Sequence, residues 1–247
     1  MEENKLINVW YDMHIHTCLS SCGRRENSVV NVIKKCVENG LNLISITDHN
    51  TSLHYDTVEK LKNKYPIEII YGIEVTTYDG FHTLFYFETL DKLKDFSSYI
   101  DQNIDHTVLN EYDPQIITDE FDNEIEVLDY KINQNVRCSY KELAQQARQR
   151  DGLIILAHVN RGGSGILHFY DDITSFDFDA IEISKNGNYE LDIEIIKKDL
   201  FEKYPYLQEY KKVYNSDGHE LRRIHGKFYN IKLKELSFKG FKEWLKN

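Results

Sequence analysis

The sequence predicts an α/β fold whose strands close into a barrel. Two observations carry that expectation. Short apolar runs alternate with amphipathic helical stretches along most of the chain, the pattern of parallel strands joined by right-handed crossovers. At least five of those runs end, on their C-terminal side, in a histidine or a carboxylate: "MHIH", "ISITDH", "IIYGIE", "LIILAH" and "VYNSDGH". A closed barrel gathers such ends on one face, whereas an open sheet spreads them along a line.

"INVWYDMHIH" reads as the first strand, and its two histidines share a face because strand side chains alternate. "SVVNVIKKCVENG" is a helix with Ser28 as N-cap and Gly40 as its stop. "LNLISITDH" is a second buried strand, "DTVEKLKNKYP" a helix ended at Pro66, and "IEIIYGIEV" a third strand. "FHTLFYF" is a fourth, followed by the helix "DKLKDFSSYIDQNI". Residues 105–137 are acidic and break the rhythm. Their alternating runs around Asp122-Asn123 predict an inserted β-hairpin. "SYKELAQQARQRDG" opens with a capping box of Ser139 and Glu142. The strands "LIILAHVN" and "FDAIEIS" follow, then a helix from Leu191 to Tyr204, the strand "KVYNSDGH" and a closing amphipathic helix, "SFKGFKEWLKN". Neither a linker nor a fixed-period repeat interrupts this order, so residues 1–247 are expected to form one domain.

The chain has 30 basic and 41 acidic residues among 247, a net charge of −11. That balance argues against a protein that grips long duplex nucleic acid through a basic face. The strongest basic cluster, "LRRIHGK" from Leu221 to Lys227, reads as a solvated edge. An acidic chain can still handle phosphate if bound metal ions supply the positive charge. No apolar run approaches the ~18 residues of a membrane span, and "MEENKLINVWYD" lacks the marks of a secretion signal. Cys18, Cys22, Cys36 and Cys138 are too scattered for a disulfide framework. A cytoplasmic protein with reduced thiols is expected.

The ten histidines sort by position. His14, His16, His49, His158 and His219 lie at predicted strand ends with Glu74 and Asp217, and His82 begins the strand after Glu74. His54, His106, His168 and His225 fall in loops or polar segments without that signal. Singly, each has a structural explanation: a hydrogen-bonded histidine, a helix cap in "TDH", a tight turn in "SDGH". Jointly, eight such side chains at one mouth would repel or desolvate each other unless a cation sat among them. Imidazole with carboxylate suits Zn, Mn or Fe, and eight donors exceed what one tetrahedral zinc uses. Two or three divalent ions are therefore expected, at a catalytic rather than a structural site.

"DMHIHTCLSSCG", "ITDHN", "GIEVTT", "FHTLFYF", "AHVNR", "FDAIEIS" and "NSDGH" together resemble the motifs of the polymerase-and-histidinol-phosphatase (PHP) domain family of metal-dependent phosphoesterases, from about Tyr11 to His219. The acidic hairpin resembles an insertion of one bacterial PHP subgroup. The resemblance implies a distorted, TIM-like (β/α)7 barrel with metals at its C-terminal mouth. It implies a first metal on His14, His16, Asp217 and Glu74. Glu74 then bridges to a second on His82 and His158, and His49 and His219 hold the remaining one. Relatives supply a further ligand just after His-x-His. Here that place holds Ser20, Ser21 and Cys22, with Ser21 the better-aligned position and Cys22 the residue able to serve as a soft ligand.

Asp48 is expected to orient its neighbour His49 from behind, and Arg161 to clamp a phosphate beside glycines that let backbone approach it. The expected reaction is hydrolysis of a phosphate ester, phosphomonoester or nucleotide, by a metal-bound hydroxide. The expected partner is a small phosphorylated substrate or a short oligonucleotide, with no membrane and no long duplex. Two other classes compete: a 3′–5′ exonuclease or defence nuclease, marked by a basic, aromatic-lined groove at the mouth, and a non-catalytic metal-binding module.

Overall fold

The computed structural model describes residues 6–111, 114–185 and 192–246. It is a mixed α/β structure built on two sheets. The first has the order β11-β1-β2-β3: β1 (Ile7–Ile15) lies between β11 (Asn230–Leu233) and β2 (Leu43–Ile46), and β3 (Glu68–Ile69) forms the edge. The second has the order β10-β9-β8-β5-β4, from β10 (Lys212–Val213) through β9 (Ala180–Glu182), β8 (Leu153–Leu156) and β5 (His82–Phe87) to β4 (Tyr71–Thr76). Among the described residues the two ladders do not join into one continuous barrel. They meet through isolated bridges at both edges, Ile15 with Gly218 and His49 with Glu74. Both bridges involve residues of the predicted mouth or their neighbours.

Three expectations about the strands are corrected. "IEIIYGIEV" is two strands: β3 pairs with β2 in the first sheet, and beyond Ile70 the chain crosses to the second, where β4 pairs with β5. The connections are not all parallel. β5 runs antiparallel to both β4 and β8. Only residues 77–81 separate β4 from β5, and a parallel return needs a crossover of about a dozen residues or more. Finally, β11 was not anticipated; it pairs antiparallel with the start of β1, Ile7 opposite Leu233.

The helices form where capping and periodicity place them. Ser28 caps α1 (Val29–Glu38) through Asn31 N–H, and α1 buries Val29, Val32, Ile33 and Cys36. α2 (Tyr55–Leu61) ends in a short 3-10 turn, Lys62–Lys64, before Pro66. Thr89 caps α3 (Leu90–Asp101), the Ser139–Glu142 box opens α4 (Tyr140–Gln149), and Asp192 caps α5 (Ile193–Lys203). The expected start of α5 at Leu191 lies outside the described residues. α6 (Phe238–Lys246) closes the chain. The inserted hairpin pairs β6 (Gln115–Thr118) with β7 (Glu124–Leu128), and Asp122 takes a left-handed φ of 71° in its turn.

The packing puts the polar ends on one rim. An apolar cluster takes alternate residues of both sheets, including Tyr11, Met13, Leu43, Ile70, Leu84, Ile155 and Val213, and α6 covers it with Phe241 and Leu245. Glu74 follows Ile70 and Gly72 on that face of its strand. His82 precedes Leu84 and Tyr86 on it, and Glu182 follows Ala180. Strict alternation after Val9, Tyr11 and Met13 would turn His14 and His16 away. A register irregularity between Asp12 and Ile15 turns them inward instead. Because β5 runs backwards, its first residue, His82, reaches the same rim as the ends of β4 and β8.

Candidate metal centre

The structure brings all eight predicted ligands to this rim. Their donor atoms fall into overlapping groups: His14 with His158 and Asp217, His14 with His16 and Glu74, and His49 with Glu74 and His82. A fourth group joins His16, His49 and His219 to the Cys22 sulfur. Thus Cys22, rather than the better-aligned Ser21, offers a donor beside the histidines. Gly23 permits that turn, since a Cβ there would lie 2.0 Å from the Thr17 carbonyl oxygen.

Glu74 is the hub. It is fully buried, and its carboxylate lies 3.3 Å from His14 Nε2, 3.2 Å from His16 Nε2, 3.0 Å from His49 Nδ1, 3.0 Å from His82 Nδ1 and 3.2 Å from His158 Nε2. Asp217 faces it, with Oδ1 3.3 Å from His14 Nε2 and 3.1 Å from His16 Nε2. His219 Nδ1 approaches the Asp217 carbonyl at 2.8 Å. His158 and Asp217 both hold left-handed backbone, with φ of 27° and 50°, a strain of a kind that gathers at functional sites.

Two residues fix which imidazole nitrogens point inward. Glu182, buried at the end of β9, lies 3.0 Å and 3.1 Å from His14 Nδ1 through its two oxygens. A carboxylate accepts only, so His14 carries its proton on Nδ1 and turns the Nε2 lone pair to the centre. Ser20 donates to Asp48 Oδ1 at 2.7 Å, so its oxygen accepts from His16 Nδ1 at 3.0 Å. His16 likewise presents Nε2, and the two Nε2 atoms stand 3.1 Å apart. Two lone pairs and two carboxylates in mutual contact are unfavourable without a cation or extra protons. Glu74 Oε2, Asp217 Oδ1 and His49 Nδ1 are buried with no hydrogen-bond partner among the described residues. The donor set fits divalent metal ions.

The acids of the rim draw positive charge onto it, as protons on His14 and His16 when no metal is bound. Burial alone would lower the His14 pKa, but Glu182, Glu74 and Asp217 carry it well above the ordinary imidazole value. His16 is raised to about 9, its burial outweighed by Asp217 and Glu74. Burial pushes His49 well below its usual value and His219 down to about 4. Burial would raise Glu74 and Asp217, yet the surrounding histidines hold both well below the carboxylate range.

Asp48 acts differently from expectation. Its carboxylate accepts from Thr17 N–H at 2.8 Å, Thr17 Oγ1 at 2.6 Å and Ser20 Oγ at 2.7 Å. It therefore holds the loop after His-x-His and reaches His16 through Ser20, while Ser20 also accepts from the His49 N–H at 3.2 Å. Arg161 sits at the rim, its Nη1 2.5 Å from Asp217 Oδ2 and its Nη2 3.4 Å from Ser184 Oγ. Gly162 and Gly163 beside it border open space.

Several buried polar residues escaped the sequence reading. Glu182 ends an apolar run like Glu74 does, the very signal that picked out the others. Asp12 is buried and accepts from Ser216 N–H at 3.0 Å and His225 N–H at 3.3 Å, tying β1 to the segment carrying Asp217. His54 and His225 are buried too. His54 Nδ1 meets Thr17 Oγ1 at 2.6 Å while its Nε2 accepts from Thr118 N–H at 3.0 Å, so the inserted hairpin braces the metal-side loop. Only a tertiary contact puts His54 there.

Comparison with known proteins adds a family and a fold. A sequence model described as the PHP domain matches residues 12–204. An uncharacterized protein of Methanocaldococcus jannaschii is 32% identical over 77 residues, 28% of this chain and 45% of that one. The lesion-specific endonuclease EndoQ of Pyrococcus furiosus superposes with a TM-score of 0.70 at 17% identity, over 97% of this chain and 56% of that one. A Bifidobacterium adolescentis protein assigned as a metal-dependent phosphoesterase superposes at 0.56 with 14% identity, over 95% of each chain. The chain thus spans about half the length of the first relatives it matches, and at these identities the superpositions show the fold alone. No helix among the described residues is long and apolar enough to cross a membrane.

Proposed function

Because the chain belongs to the PHP domain family, we propose that it is a metal-dependent phosphoesterase working at a site of two or three divalent ions, Mn, Zn or Fe. One observation carries this reading: the Nε2 atoms of His14 and His16 converge on Glu74 and Asp217 at 3.1–3.3 Å, a buried cluster of imidazoles and acids that draws positive charge. His14, His16, Glu74 and Asp217 hold a first ion. Glu74, His82 and His158 hold a second, and His49, His219 and Cys22 a third. Such ions bring the pKa of water towards neutrality and offset charge on phosphate oxygens.

The chain's own residues do the rest. Glu182 and the Asp48–Ser20 pair keep His14 and His16 in the tautomer that donates from Nε2. Arg161, next to Asp217, turns its guanidinium fork to a phosphate oxygen. Water adds to phosphorus, the bond from phosphorus to the leaving oxygen breaks, and the proton lost by water is matched by one gained by the leaving alcohol. The products are phosphate, or a shorter phosphate ester, and a free hydroxyl group. The substrate is a small phosphorylated molecule or a short oligonucleotide.

The same reading takes the two edge-bridged sheets as a distorted (β/α)7 barrel, and the whole chain as one domain with the acidic hairpin inserted. The four cysteines are free of disulfides, which fits a reducing, cytoplasmic setting. The test is hydrolysis of p-nitrophenyl phosphate with manganese added. Wild type should turn over, and His14→Ala and Glu74→Ala should each abolish activity. Undiminished activity in both variants ends the proposal.

A further inference from the structure

The inserted hairpin has one anchored edge and one open edge. β6 is tied to the body of the protein: Ile116 N–H donates to the Cys18 carbonyl at 2.9 Å, Thr118 N–H to His54 Nε2 at 3.0 Å, and the Thr118 carbonyl accepts from Thr57 Oγ1 at 2.7 Å. Ile117 and Leu128 pack with Leu19 and Ile132. β7 differs. Among the described residues its one ladder is that with β6, and four consecutive residues, Glu124 to Val127, are exposed on it. The ladder also shows which groups β7 leaves free. Ile116 and Thr118 turn their N–H groups away from β7, so the hydrogen-bonded pairs are Gln115 with Leu128 and Ile117 with Glu126. Val127, between those pairs, therefore aims its N–H and C=O outward. Ile125 and Val127 share one face of the strand and are 61% and 53% exposed, while Glu124 and Glu126 take the other face. Two more apolar side chains stand in solvent nearby. Phe121 at the hairpin tip is 74% exposed, and Leu109, bridged to Tyr130 just beyond β7, is 65% exposed.

An open edge of this kind is a template for another strand, and its charge decides which strand it admits. Residues 115–130 hold six carboxylates and neither lysine nor arginine. Arg25 lies 3.2 Å from Asp122 and 2.6 Å from Glu124, and Lys60 lies 3.0 Å from Glu120. Among the described residues no ion pair reaches Glu126 or Asp129. A second copy of the edge would set like charges opposite one another, in a chain whose net charge is already −11. A strand that alternates basic and apolar residues meets opposite charge on one face and Ile125 with Val127 on the other.

We propose that the outer edge of β7 receives an extended, basic segment of a partner protein as a third strand of the hairpin sheet. Main-chain hydrogen bonds at Val127 hold the segment, Ile125 and Val127 pack its apolar residues, and the carboxylates of the hairpin select its sign. The negative charge that keeps copies of this chain apart is what chooses the partner. β6 stands between β7 and the loop carrying Cys18 and Ser20, so the added strand lies on the far side of the hairpin from the metal rim. The proposal is therefore independent of the phosphoesterase reading.

A fluorescent octapeptide alternating lysine with valine is the probe, and its glutamate–valine counterpart is the control. Fluorescence anisotropy with the full chain should show the lysine peptide binding, more weakly as salt rises, and the glutamate peptide not binding. Val127→Pro removes an outward N–H that the ladder with β6 does not use, a place where an edge strand tolerates proline. Glu126→Lys reverses one charge on the exposed strand. Each should weaken the lysine peptide about 10-fold or more, and Val127→Ala, which keeps the N–H, should weaken it less. Both variants should melt at the wild-type temperature, because neither side chain is buried. Wild type without affinity for the lysine peptide overturns the proposal, as does affinity that survives both Val127→Pro and Glu126→Lys. Sedimentation showing a wild-type dimer that Val127→Pro dissociates would place a second copy on the edge and overturn it too.

Discussion

Replacing Glu182 with glutamine probes the site without touching a proposed ligand. Both carboxylate oxygens of Glu182 are committed: Oε1 lies 3.1 Å from His14 Nδ1 and accepts from Asn215 Nδ2 at 2.6 Å, while Oε2 lies 3.0 Å from His14 Nδ1 and accepts from His158 N–H at 2.8 Å. A glutamine amide must aim its NH₂ at one of these donors. Either orientation opposes two donors in a fully buried pocket, which costs about 1–3 kcal/mol. The charge that holds His14 in its Nδ1–H form is lost as well. Removing such a partner behind a ligating histidine typically weakens metal binding about 10–100-fold, or roughly 1.4–2.7 kcal/mol. Competition against a chromophoric chelator measures that loss, and thermal unfolding of metal-free protein measures the first term. Wild-type metal affinity in Glu182→Gln would refute the tautomer argument, because it would mean that His14 needs no acceptor at Nδ1.

Two further outcomes follow from the same geometry. His16, raised to about 9 from 6.5 in the metal-free site, lends stability that is complete below pH 6.5 and lost as pH rises through about 9. Chelator-treated protein should therefore melt at progressively lower temperature between pH 6.5 and 9, while manganese-loaded protein, its imidazoles already deprotonated, should not; equal pH slopes would contradict this. Cobalt-substituted protein should show a near-ultraviolet sulfur-to-cobalt charge-transfer band that Cys22→Ser removes, and a spectrum indifferent to that substitution takes sulfur out of the third site.

The cluster at the rim was legible because its signal is local. A histidine or acid at the end of an apolar run needs no knowledge of pairing, and His14, His16, His49, Glu74, His158, Asp217 and His219 all follow from it. Glu182 obeys the same rule in "AIE" and could have been found. What escaped depends on which strand pairs with which. The crossing from β3 to β4 at Ile70 is invisible in an unbroken run of apolar residues. The reversal at β5 was readable from the short Asp79-Gly80 connection, too tight for a parallel return. β11 is only four residues long, with its even alternation of exposed and buried positions too brief to stand out. His54 and the role of Asp48 are tertiary: each is set by a segment distant in sequence that the chain brings alongside.

The cation proposed for the rim is tested most directly by anomalous diffraction from crystals grown with manganese, recorded on either side of the metal's absorption edge. The account predicts peaks between the Nε2 atoms of His14 and His16 and the facing oxygens of Glu74 and Asp217, with Glu74 shared with a neighbouring peak. A rim without anomalous density, its histidines in direct hydrogen bonds with those carboxylates, would contradict it.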